Sequence, residues 1–142
     1  MRLALAQAAE AGPEDVPVGA VILDEAGTVI AQARNRREID RDPTAHAEIV
    51  AIRQAARALG GWRLTGLTLV VTLEPCTMCA GALSLARIRR LYYGAADAKG
   101  GAVDNGVKFF ASPTCHHRPD TYGGIGESEA AALLQEFFRV RR

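Results

Sequence analysis

Two short stretches carry the residue types able to do chemistry. Residues 44–48 read TAHAE and set His46 and Glu48 two positions apart; residues 75–79 read PCTMC and set Cys76 and Cys79 three apart. A disulfide between these cysteines would close a tiny, strained loop. A thioredoxin-type redox pair at a helix N-terminus is a second reading, but that chemistry makes no demand on a distant histidine. A metal site does. Residues i and i+3 of a helix share a face, so Cys76 and Cys79 can bind one ion, and His46 can supply a third ligand from another helix. The remaining cysteine and histidines, Cys115, His116 and His117, fall together in a late stretch. With those three elsewhere, the ion keeps one open position, as catalytic zinc does and closed structural zinc does not. Glu48 is then the carboxylate within reach of a water at that position.

The elements that must position these residues follow from periodicity and punctuation. Residues 45–58 and Leu59 beyond them place Ile49, Ile52, Ala56 and Leu59 at helical spacing, with Thr44 expected as N-cap and Gly60-Gly61 as the stop. Residues 76–88 read as a second helix with Pro75 at its entrance, where a missing N–H costs nothing. Between them, residues 67–73 (LTLVVTL) are nearly all apolar, as in a strand covered on both faces. Residues 16–23 and 28–33 read as a hairpin turning through Asp24–Gly27, with Pro17 at the start of its strand. Residues 89–95 read as a further strand and residues 2–11 as a first helix. Residues 96–127 are assigned mainly to loops, with a short helix near 106–111. Ser128 is expected to cap a last helix with Ala130, Leu133, Leu134 and Phe137 along its core side. Strands and helices in alternation make an α/β layered domain with a mixed sheet. Neither a G-x-G-x-x-G after a strand nor a G-x-x-x-x-G-K-[ST] occurs.

With 142 residues, 49% hydrophobic and 23% charged, the chain is expected to form one domain over residues 1–142 with a proper core. It has no apolar run of membrane-spanning length, and Gln7 and Glu10 interrupt the N-terminal apolar stretch before it reaches signal length. A cytoplasmic address and reduced thiols are expected, with no membrane partner. A net charge of +1 announces no polyanion globally. Six arginines nevertheless crowd into residues 86–90 and 139–142, either as solvated faces or as a local patch toward phosphates.

His46-Ala47-Glu48 followed, after 26 intervening residues, by Pro75-Cys76-Thr77-Met78-Cys79 resembles the signature of zinc-dependent nucleobase deaminases. The wording of VPVGAVI, DPTAHAEI, VTLEPCTMCAGAL, YGAADAKGGA and AALLQEFFRVRR is similar to the bacterial tRNA-specific adenosine deaminases over roughly residues 3–142. That resemblance implies a three-layer α/β/α, cytidine-deaminase-like fold around a mixed sheet of about five strands. It implies one zinc per chain on His46, Cys76 and Cys79, activating a hydroxide that attacks C6 of adenosine. Glu48 would shuttle the proton as ammonia leaves. The product would be inosine at the wobble position, 34, of a tRNA anticodon stem-loop, made by a homodimer. Asn35, the Ala47 amide and Asp97 would meet the flipped base and its neighbours. His117, Phe138 and the terminal arginines, Arg141 and Arg142, would meet the RNA. The segment 105–124 departs from the usual pattern, with His116 where asparagine is common. On residue type alone Asn35 is more often a turn residue, and Asp97 also reads as a loop or cap residue and Phe138 as peripheral packing. A deaminase of free bases or nucleosides shares the metal motif and stays open at this point, whereas a purely structural zinc module has no use for Glu48.

Overall fold

The computed structural model describes residues 1–141. β1 (Gly19–Leu23) and β2 (Val29–Arg34) form the antiparallel hairpin, and β1 also pairs antiparallel with β3 (Thr68–Leu73). From there the sheet turns parallel, through β4 (Arg90–Ala95) to β5 (Asp120–Tyr122), giving the order β2-β1-β3-β4-β5. Asp24 stabilises the hairpin turn by accepting the N–H groups of Ala26 and Thr28 at 2.9 and 2.8 Å.

Side-chain alternation along the strands builds a core on each face. Ala20 and Ile22 of β1 and Leu69 and Val71 of β3 bury against Ala47, Ala51 and Ala55 of α2 (Ala47–Leu59) and Ala80 and Leu83 of α3 (Thr77–Leu85). Val21 and Val70 point the other way, into a smaller cluster with Ala4 of α1 (Arg2–Ala9). The last helix, α4 (Glu127–Val140), joins α1 on that face, packing on β4 and β3. The expected three-layer α/β/α architecture with a mixed five-stranded sheet is what is found, and β3 is covered on both faces as its apolar run requires.

Several boundaries differ from expectation. Thr44 does not cap α2, because its hydroxyl donates to Asp42 at 2.7 Å and the helix starts later. His46 stands at the cap position in extended conformation, at φ −66° and ψ 153°. Ser128 lies inside α4; the cap position is Gly126 at φ 67°, and Glu127 and Glu129 supply favourable charge in the first turn. Along α4 only Ala130 is fully buried, Leu133, Leu134 and Phe137 being half-buried. Gly60 does end α2, in the left-handed conformation at φ 71°. β5 went unread as a strand because it spans 3 residues within a loop-like sequence; its Tyr122 stacks on Tyr92 at 4.9 Å between ring centroids. The short helix near 106–111 is a 3₁₀ turn at Phe109–Ala111.

Candidate active site

Two helix N-termini meet at the end of the sheet where β3 and β4 finish. Cys76 occupies the cap position of α3 just as His46 does in α2, and neither side chain is spent on capping its helix. One turn into α3, Cys79 lies on the same face and is fully buried. His46 Nδ1 lies 3.6 Å from Cys76 Sγ and 3.5 Å from Cys79 Sγ, and the three donor atoms are all within 4.8 Å of one another. A tetrahedral zinc with Zn–N of about 2.0–2.1 Å and Zn–S of about 2.3 Å needs N···S edges of roughly 3.5 Å. The donor set therefore fits zinc in both chemistry and spacing. Without metal the thiols act as a pair: hydrogen bonding from Cys79, then from His46, holds Cys76 down at about 4. The same pairing together with burial pushes Cys79 up. The bond to Cys76 raises His46. Metal binding must displace these protons.

Beside the donors is a cavity of about 260 Å³. Val16, Val18 and Leu73 give it apolar walls, and Asn35, Glu48, Glu74 and Asp97 give it polar ones. Glu48 is 4% exposed, and burial pushes its carboxyl above the usual range. Asn35 directly follows β2, and its backbone N–H donates to the Val18 carbonyl at 2.9 Å. Its side chain donates to the Val16 carbonyl at 3.1 Å and accepts from the Arg37 N–H at 3.1 Å. An amide can donate twice and accept twice, so one hydrogen and one lone pair are left over. Ala47, first residue of α2, contributes an N–H that has no partner within the helix.

Residues 1–95 match the model for the cytidine and deoxycytidylate deaminase zinc-binding region. The chain belongs to that family. A relative from Agrobacterium fabrum named tRNA-specific adenosine deaminase is 60% identical over all of this chain and 93% of its own length. One from Rickettsia bellii with the same name is 44% identical, covering all of this chain and 99% of the relative. A solved structure from work on A-to-I editing by tRNA:A34 deaminases at the wobble position superposes with a TM-score of 0.92 at 60% identity, covering 94% of this chain and 97% of that one.

Around this deaminase site the remaining residues separate into those the fold gathers and those it does not. Asp97 and Gly100 line both the cavity and a broader adjoining groove of about 970 Å³, which continues to Leu134, Phe138 and Arg141. Phe138 is 48% exposed on the groove, and the Arg141 guanidinium lies 3.5 Å from the centre of the Phe137 ring. Arg142 lies outside the described residues. His117 is not brought to the cavity: its Nε2 is 2.7 Å from the carbonyl of Ile88, just ahead of β4 and so at the opposite end of the sheet. The arginines of 86–90 stand at that same far end, where Arg89 is 3.7 Å from Glu25. Cys115 is buried against Ser84 and apart from the metal-ligand cluster, and His116 is exposed. Two charged lining residues escaped the sequence reading. Arg37 adds a cation at the rim, and Glu74 adds a second buried carboxylate. The signal for Glu74 was present, as a charged residue closing an otherwise apolar strand that is covered on both faces.

Proposed function

We propose that this chain, acting as a single domain, converts adenosine to inosine at the wobble position, 34, of a tRNA anticodon, releasing ammonia. The observation that carries this is the continuity of the base-sized cavity beside His46, Cys76 and Cys79 with a groove ending in Phe138 and Arg141. A free base needs only the cavity; a base flipped from an RNA loop needs somewhere for its neighbours to lie. An exposed aromatic beside arginine suits stacking next to phosphate. The names of the relatives and of the solved neighbour agree with it.

His46, Cys76 and Cys79 would hold zinc, which when bound would supply Lewis-acid activation of water. Glu48 would carry one proton from the attacking water to N1 of the purine, then a second from the new C6 hydroxyl to the departing amine. Burial favours its protonated form, which suits it to giving the proton up again. At C6 a C–O bond forms and the C–N bond breaks. Asn35 and the Ala47 N–H orient the base, Asp97 stands beside the flanking nucleotides, and Phe138 and Arg141 grip the loop. A homodimer belongs to this reading, supported by Leu85 at 71% and Val107 at 65% exposure on α3 and the adjoining loop. No helix among the described residues is long and apolar enough to cross a membrane.

The test is an inosine assay on an anticodon stem-loop carrying adenosine at the wobble position, with free adenosine, cytosine and guanine in parallel. Inosine in the stem-loop alone is the expected result. Ammonia from a free base and none from the RNA would leave the zinc site standing and overturn the RNA reading.

A further inference from the structure

The carboxylate of Glu74 sits in a cradle of N–H groups. Its Oε1 accepts the Asp97 N–H at 3.0 Å and the Asn105 side-chain amide at 2.7 Å. Its Oε2 accepts the backbone N–H groups of Val103, Asp104 and Asn105 at 3.1, 2.9 and 3.1 Å. None of these partners is a cation. A concavity of successive backbone N–H groups is a place where proteins bind anions, and here the anion belongs to the chain itself. With Glu74 only 2% exposed, removing the carboxylate would strand several of these donors away from water.

Everything near the cradle is shaped to it. A Cβ on Gly101 would lie 2.5 Å from Glu74 Cδ and 2.5 Å from the Asp97 carbonyl oxygen, so no larger residue fits there. The loop is pinned at its sides as well: the Ala102 N–H bonds the Pro75 carbonyl at 2.9 Å, and the Tyr93 hydroxyl donates to the Asp104 carboxylate. At its front the Asp97 carboxylate accepts the N–H groups of Lys99 and Gly100 at 3.0 and 2.9 Å. Asp97 and Gly100, together with Val16 and Leu73, form the wall shared by the cavity and the groove. One carboxylate thus ties residues 97 and 105 to the end of β3, directly ahead of Pro75 and Cys76.

We propose that Glu74 is a positioning residue for substrate binding, holding the Asp97–Gly100 wall in the form that receives the nucleotides next to the reacting base. This rests on the RNA reaction proposed above. A part that only supports the fold would lower zinc content, stability and turnover together. A part that shapes the wall acts mainly on KM, and acts through Asp97.

The experiment compares wild type, Glu74→Gln, Asn105→Ala and Asp97→Ala for zinc content, kcat and KM on the anticodon stem-loop, with amide exchange of residues 97–105. Glu74→Gln, which faces the donors with an amide, is expected to keep one zinc per chain, lose protection at 103–105 and raise KM at least about tenfold, with a smaller loss in kcat. In the Asp97→Ala background the same change is expected to add less than about twofold, since residues acting through one another are not additive. Should Glu74→Gln not fold, Asn105→Ala removes a single donor and is expected to raise KM about threefold. Unchanged KM despite lost protection, or effects of Glu74→Gln and Asp97→Ala that multiply, would overturn the proposal. Wild type run alongside separates the two readings: an unedited stem-loop counts against the reaction, and normal editing with unchanged KM in the variants counts against the clamp.

Discussion

Two buried carboxylates line the same cavity, and their surroundings push them in opposite directions. Glu48 stands at the first turn of α2, where burial outweighs its hydrogen bonding and raises its carboxyl. Glu74 is also penalised by burial, but the donors from Asp97, Val103, Asp104 and Asn105 overcome that penalty and bring it below the usual range. One is therefore suited to exchange a proton and the other to remain an anion. The lesson is that burial alone does not assign a role; the number of N–H donors facing a carboxylate does.

The largest effect lies at the Glu48 end. Replacing Cys79 with alanine removes one of the three clustered donors, and both zinc and activity are expected to fall to background in metal analysis and the inosine assay. Glu74→Gln should keep its zinc; loss of zinc there as well would make Glu74 a support of the metal site and not of the Asp97–Gly100 wall. The next effect lies along the groove. Phe138→Ala removes an exposed aromatic face and is expected to raise KM for the stem-loop roughly 5- to 150-fold, with zinc unchanged. An unchanged KM would end the groove before Phe138.

The smallest effect concerns acid. Because the folded state holds Glu74 below its ordinary 4.5, its contribution to stability is complete above that value and is lost as pH falls through the lower, folded one. The gap in Tm between wild type and Glu74→Gln is therefore expected to narrow as pH is taken from about 5 to about 3. A gap independent of pH would mean that the N–H groups grip shape rather than charge.

The two carboxylates also differ in how far sequence could reveal them. His46, Glu48, Cys76 and Cys79 are pairs closely spaced within single helix starts, and their chemistry is written in residue type and interval. Glu74 takes its meaning from donors that arrive 23 to 31 residues later, mostly from backbone, which has no residue signature. For the same reason the place of His117 in the fold is not legible in its sequence. Its type suits an RNA contact, yet the parallel pairing of β5 with β4 carries its neighbourhood to the far end of the sheet. The strands with long apolar runs were legible, while β5 and the cap at Gly126 depended on tertiary pairing and backbone conformation.

In the proposed mechanism a three-donor metal site works with a carboxylate that moves protons without binding the metal. Zinc content and single-turnover inosine formation, measured together on Glu48→Ala, test it most directly. One zinc per chain, as in wild type, and a rate lower by at least about 10²-fold are expected. Zinc retained with an unchanged rate would contradict it, and so would zinc lost along with Glu48.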